Sequence, residues 1–446
     1  MFKHLIIFAV AVLMPISAFA LTIDETVQLA LASNNNLKSK EYTLKSQELA
    51  SNNAILIFFP SIGAQYDFSY TWSDMTNALQ RKTESNVATF STYVNLNLFN
   101  GLSDMFNFQI AKLNSKMAAS DLDAAGYDTI LEAQNAYINL LKAKSDLEVA
   151  ESNLKLLEMQ KRDAQISADN GLIARNDLLQ TEAYLASAQL QKITAQSAVT
   201  QAVQKLEKVI NRKLDPNEEL IEPVLLDITL ESEEVLKEKM FNNRSDLKYL
   251  EQSYEVAKKN ELTALSGVYP KVDASFTYTT YGNEGNPFTG APKSDGSANS
   301  FISGGNTIDN NMAVGITASW NLLNVASSSM QSIANKRTRQ ALAYSIADTK
   351  QNMLLELQTY IEMYYTSKAQ LAQALTGIKH AEENYRVRKN LYDQSAATMT
   401  ELLDASSILN EAKVAESNER YSVISSVYQL ERTIQEKLPV HTNQAQ

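Results

Sequence analysis

Leu98-Phe99-Asn100-Gly101-Leu102-Ser103 opens a stretch that runs without proline to Asn211, and its reading decides the fold. For about 70 residues after Gly101 the only glycine is Gly126, until Asp169-Asn170-Gly171 supplies a turn. At ~1.5 Å of rise per residue an unbroken helix of that length runs about 100 Å, far beyond an ordinary globular helix. Tyr137, Leu140, Leu147, Ala150, Leu154 and Leu157 step at threes, fours and sevens, which is the narrow seam of a coiled coil. Beyond Gly171, Leu178, Ala183, Leu185, Leu190, Ile193, Val203 and Leu206 form a second helical run. The spacing predicts a long antiparallel helical hairpin.

The hairpin recurs. Asp177-Leu178-Leu179 returns 224 positions later as Glu401-Leu402-Leu403, and Asn97-Leu98-Phe99-Asn100 returns as Asn321-Leu322-Leu323-Asn324. Upstream, Leu37-Lys38 and Pro60 answer to Leu247-Lys248 and Pro270 at a shift of 210. Two constant offsets indicate a duplication whose second copy carries a longer loop. The expected organisation is a first repeat over 21–211, a connector over 212–240 and a second repeat over 241–438. A tail follows over 439–446.

Composition narrows the function. The 446-residue chain has a formal charge of −11, no cysteine and three histidines. The charge argues against nucleic acid, whose phosphates need a basic surface. Thiolate metal sites and cysteine nucleophiles are excluded. No cofactor, metal site or catalytic residue is expected, and the charged side chains converge on no catalytic pattern. Residues 1–20 read as a secretory signal peptide, with Lys3, an apolar run and Ala18-Phe19-Ala20.

Between the helical runs the period changes from helical to two. Ile62, Ala64, Tyr66, Phe68 and Tyr70 alternate with polar or small residues, and Val94, Leu96 and Leu98 follow a polar loop placed at Trp72 to Thr89. Val272, Ala274, Phe276 and Tyr278, then Met312, Val314, Ile316 and Ala318, repeat the pattern around a long loop over 282–311. The expected strands are 61–71, 92–100, 271–281 and 312–323, each near the length a tilted strand needs to cross a bilayer. Four strands cannot close a barrel, and an open sheet edge cannot face lipid. If the strands span, several copies must share one barrel.

Leu21-Thr22-Ile23-Asp24-Glu25 through Ala30-Leu31, Phe59-Pro60-Ser61, Leu98-Phe99-Asn100-Gly101, Asn170-Gly171-Leu172 and Leu402-Leu403-Asp404-Ala405, in that order, resemble the signature stretches of the TolC family of outer-membrane efflux proteins. The resemblance implies a mainly α protein with a membrane β-barrel portion. Duplicated antiparallel hairpins would form a coiled-coil tunnel in the periplasm of a Gram-negative bacterium. Four strands per chain would build a twelve-stranded barrel in a homotrimer. It further implies a passive exit duct for a tripartite efflux pump or a type I secretion system. The expected partners are a periplasmic adaptor (membrane fusion) protein, an inner-membrane transporter of RND, ABC or MFS type, and outer-membrane lipid.

The resemblance also assigns residues. Gly171, Leu172 and Ile173, and in the second hairpin Ser395, Ala396 and Ala397, match adaptor-docking tips. Glu401 and Asp404 match acidic rings at the periplasmic aperture, where three copies would raise some carboxyl pKa values by repulsion. Asp177, Gln160 and Tyr392 match a latch holding the entrance shut. The arginine usual at the position of Ala397 is absent, and Arg175 stands as a substitute charge. The competing reading is a secreted coiled-coil scaffold protein without a pore.

Overall fold

The computed structural model describes residues 21–75, 81–171, 173–215, 218–223, 228, 230–283, 308–394 and 396–438. The expected signal peptide, most of the 282–311 loop, the tail and the tip residues Leu172 and Ser395 lie outside them. Helices α1 (Ile23–Ser33) and α2 (Asn35–Asn53) precede strands β1 (Ser61–Met75) and β2 (Arg81–Phe99). Then come the helices α3 (Ser103–Asp169) and α4 (Arg175–Ile210). The second half follows the same order, with α5 (Glu233–Asn243), α6 (Ser245–Leu265), β3 (Lys271–Asn283), β4 (Ile308–Ser319), α7 (Leu322–Asp393) and α8 (Met399–Ile434). At 67 and 72 residues, α3 and α7 are unbroken.

Three expectations are corrected. Most of the loop placed at Trp72 to Thr89 is strand, because β2 begins at Arg81 and pairs with β1 up to Met75. Its polar side chains hide the strand from hydrophobic patterning, but backbone pairing needs no apolar residue. β4 stops at Ser319 and not 323, because Leu322 already opens α7. The apolar spacing of Leu29, Ala30, Leu37, Leu44 and Leu49 also reads as one helical run from Leu21 to Ile57, but the structure breaks it at Asn34, whose Oδ1 accepts the N–H groups of Asn36 and Leu37 and so starts α2.

The chain divides into two compact units, and each draws on both halves of the sequence. The strand-bearing unit takes residues 42–120 and 248–348. Its sheet is antiparallel in the order β1-β2-β3-β4, so among the described residues the outer edges of β1 and β4 have no strand beside them. Register sorts the faces, since directly paired residues point the same way. Ile62, Val94, Phe276 and Val314 share one apolar face with their neighbours two residues away; Ile62 is 79% exposed and Val314 82%. Gly63, Tyr93, Thr277 and Ala313 share the other, where Ser91 and Thr279 are joined at 3.2 Å. The Tyr93 ring lies where a side chain at Gly63 would be. After β2 the chain turns into α3 through Gly101 and Leu102, both at φ 70°. A Cβ on Gly101 would come 2.3 Å from the carbonyl oxygen of Ser266, so only glycine fits there.

The helical unit takes residues 1–41, 121–247 and 349–446. Its main core gathers Leu21, Ala30, Ala133, Ala136, Tyr137, Leu140, Leu206, Ile210 and Tyr421. The buried Tyr137 hydroxyl lies 2.7 Å from the carbonyls of both Leu21 and Ile221 and ties the chain start to the connector. Tyr364 does the same for the second half by donating to the Ile228 carbonyl. Arg244, 6% exposed in its side chain, pairs with Asp246 and Glu356 where α5 gives way to α6. A buried guanidinium needs such partners. The α3 seam is realised, with Tyr137, Leu140, Ala150 and Leu157 buried. On α4 the pattern departs: Leu190 and Ile193 are each 65% exposed in the single chain.

Candidate functional site

The turn ends of both hairpins meet in the helical unit around a second core. Leu157, Ala164 and Ala188 from the first hairpin pack with Met399, Leu402 and Leu403 from the second, and Ile173, Leu178, Tyr184 and Tyr392 close around them. Side-chain bonds cross between the hairpins here. Thr400 donates to Gln180 at 2.9 Å, and Tyr184 donates to Asp404 at 3.3 Å.

The first turn follows from its sequence. α3 runs out at Asp169, the Gly171 N–H bonds the Ala168 carbonyl, and Gly171 takes φ +70° with open space around it. This is the glycine stop of a helix C-terminus. Ile173 folds back onto the core while Arg175 opens α4, exposed. In the second turn the Ala396 N–H bonds the Leu391 carbonyl at 2.8 Å. Ala396 is exposed and Ala397 half-buried. Thr398 then caps α8 in a reciprocal box with Glu401.

That box gives Glu401 work within the single chain. Its Oε2 accepts the Thr398 N–H at 2.9 Å, and its Oε1 accepts from Arg388 at 3.1 Å. The backbone N–H of Thr398, followed by the Arg388 charge, holds the Glu401 carboxyl below the usual range. The direction is opposite to the repulsion-driven rise expected of an assembled ring. Asp404, exposed on the same helix, is held by Tyr184.

Of the residues expected to form the latch, Tyr392 and Asp177 lie close enough for their charges to interact. Burial raises the Tyr392 phenol, the charges of Asp163 and Asp177 raise it further, and a hydrogen bond with Ser167 partly opposes them. Gln160 is 5% exposed, and neither its amide nitrogen nor its oxygen has a hydrogen-bond partner among the described residues. Native proteins leave few such groups. Sequence reading missed Asp163, three residues beyond Gln160 on α3, and Arg388, which reaches Glu401 across the turn. A carboxylate one helical turn from an expected latch residue was a usable signal for the first. For the second, only the folded hairpin brings positions 388 and 401 together.

Among the described residues no group of side chains could hold a metal ion, and no helix is long and apolar enough to cross a membrane. Similarity to known proteins points the same way. The sequence profile of the outer membrane efflux protein family matches residues 26–212 and 236–434. The outer membrane protein TolC of Vibrio cholerae is 22% identical over 333 residues, 74% of this chain and 73% of that protein. The alkaline protease secretion protein AprF of Pseudomonas aeruginosa is 26% identical over 204 residues, 44% of this chain and 42% of its own. The crystal structure of the Campylobacter jejuni CmeC outer membrane channel superposes with a TM-score of 0.78 at 15% identity, covering 92% of this chain and 85% of that one.

Proposed function

The chain belongs to the outer membrane efflux protein family, and from that premise we propose that three copies form one passive exit duct serving a tripartite efflux pump or a type I secretion system. Members of this family are outer-membrane channels and not enzymes, and the scaffold alternative falls with that membership. The observation that carries the proposal is the open four-stranded sheet: one face is apolar and exposed, and the outer edges of β1 and β4 are unpaired. In lipid those edges must find strands. β1 of one copy against β4 of the next closes a ring, and three copies give twelve strands.

In this reading the turn ends meet a periplasmic adaptor, which joins the duct to an inner-membrane transporter. Gly171, Leu172 and Ile173, with Ser395, Ala396 and Ala397, form the docking ends. Gln160, Asp177 and Tyr392 hold the entrance, with Arg175 nearby, and Glu401 and Asp404 face the axis. Support for the latch comes from the Tyr392 phenol, which lies within the influence of the Asp163 and Asp177 charges and hydrogen-bonds Ser167. The likeness to AprF supports protein export as one cargo class.

The test is reconstitution of the detergent-purified protein into planar bilayers, with its mass measured in parallel. A trimer giving discrete conductance steps is expected. A monomer with no conductance overturns the proposal. A deletion strain assayed for both drug susceptibility and secreted proteins then assigns the cargo.

A further inference from the structure

A short 3-10 helix precedes the first strand of each half: Ala54–Phe58 before Pro60 and β1, and Ser266–Val268 before Pro270 and β3. The two occupy equivalent places, yet their sequences differ in kind. The first reads Ile55-Leu56-Ile57-Phe58-Phe59, and the second Leu265-Ser266-Gly267-Val268-Tyr269. The fold at this position therefore requires no apolar run. All five residues of the first are more than 40% exposed, and Phe59 reaches 61%. With three residues per turn, five consecutive apolar side chains surround the helix axis. A neighbouring copy can cover one side only.

The surroundings indicate what meets the rest. The turn runs through Pro60 into β1, where Ile62 on the apolar face is 79% exposed. Phe58 packs edge-on against Phe108 of α3 at 5.8 Å, and the Lys112 ammonium lies 4.4 Å from the centre of the Phe108 ring. The N-terminus of α3 adjoins the sheet, and helical side chains lean toward the N-terminus, so Lys112 reaches back toward the strands. The chain segments bordering this end of the sheet (54–60, 100–120, 256–271 and 319–340) carry eight Lys or Arg against two Asp or Glu, in a chain of net charge −11. Apolar and aromatic side chains with basic ones just beyond them match the boundary between acyl chains and anionic headgroups.

We propose that the Ala54–Phe58 turn with Phe59 is a lipid-seated collar, lying in the periplasm-facing leaflet with Lys112 beneath it for a lipid phosphate. The proposal rests on the outer-membrane reading and adds to it that part of the helical chain, outside the strands, enters lipid. The chain has two tryptophans, Trp72 and Trp320. Trp320 stands one residue past β4 and reports insertion of the sheet itself.

The test uses the full chain in phosphatidylethanolamine–phosphatidylglycerol vesicles whose acyl chains carry bromine. With Trp72→Phe, Trp320 is the insertion control. Adding Phe58→Trp to Trp72→Phe/Trp320→Phe reports the collar, and Val268→Trp in the same background reports the equivalent turn. The collar tryptophan is expected to lose at least half its emission to brominated lipid, and the Val268 position far less. Lys112→Glu should lower retention on vesicles containing phosphatidylglycerol and leave it unchanged on phosphatidylcholine alone.

Quenching of Trp320 with none at position 58 overturns the collar, whether that emission is water-like or blue-shifted under a second copy. No quenching at either overturns the membrane reading with it. Should Phe58→Trp misfold, a nitroxide on Ile57→Cys decides by the same criterion. The chain lacks native cysteine, and higher collision with oxygen than with a polar nickel chelate supports the collar while the reverse overturns it.

Discussion

At the level of single residues, Tyr392 and Asp177 carry the clearest consequence. Tyr392 hydrogen-bonds Ser167 beside the charges of Asp163 and Asp177, so under the proposed latch Tyr392→Phe removes that bond and Asp177→Asn one of the charges. A hydrogen bond contributes about 1 kcal/mol net, which is a factor of roughly five in a closed-to-open equilibrium. Tyr392→Phe, which loses the Ser167 bond, is expected to raise single-channel conductance or open probability by about that factor, and Asp177→Asn to change it in the same direction. Unchanged traces would remove both residues from the latch.

Glu401 yields a pH prediction. Its folded pKa lies below the ordinary glutamate value of 4.5, so the ionised form stabilises the fold. That contribution is complete above the unfolded value and is lost as pH falls through the lowered one. Glu401→Gln keeps an acceptor for the Thr398 N–H but carries no charge for Arg388. Hydrogen exchange of the amides opening α8, followed from pH 6 to pH 3, should accelerate at the acid end in the native chain. In the variant that acid-dependent step should be absent.

Among the elements, the two glycines at φ +70° separate backbone strain from collision. Gly101 has the Ser266 carbonyl against it, whereas Gly171 has open space. Gly171→Ala should cost about 1 kcal/mol, the ordinary expense of a left-handed L-residue. Gly101→Ala adds a clash with backbone and should cost about 3 kcal/mol or more. Thermal melts of the two variants, compared in one detergent, would rank them.

The long helices were legible because α3 and α7 lack proline and repeat their apolar residues without interruption. The strands were legible only where apolar and polar residues alternate, so Arg81 to Asn86 escaped notice. The break at Asn34 was hidden because asparagine in a helical run looks like any surface residue until its side chain is seen capping the next helix. At the tip, Asp177, Tyr392, Glu401 and Asp404 were singled out by resemblance to family positions, and the fold brings Tyr392 near Asp177. The capping role of Glu401 was readable from Thr398 standing three residues before it, and was overlooked.

For the whole molecule, the difference between the two sheet faces is decisive. Val314 stands on the apolar face and Thr317 on the polar one. In a lipid-facing wall, Val314→Lys should cost about 2–4 kcal/mol and lower the yield of assembled trimer. Thr317→Lys should assemble normally and shift ion selectivity toward anions. Equal yields from the two would mean that the exposed face does not meet lipid.

The open edges of β1 and β4 carry a genetic corollary. In a head-to-tail ring each subunit offers one edge and receives the other, so a chain damaged at β4 alone still inserts its sound β1 beside a normal neighbour and spoils the circle. Co-expressed in equal amounts with the intact gene, such an allele would leave only about one ring in eight wholly intact. An edge lesion should therefore be inherited as a dominant poison, whereas a null allele would be recessive.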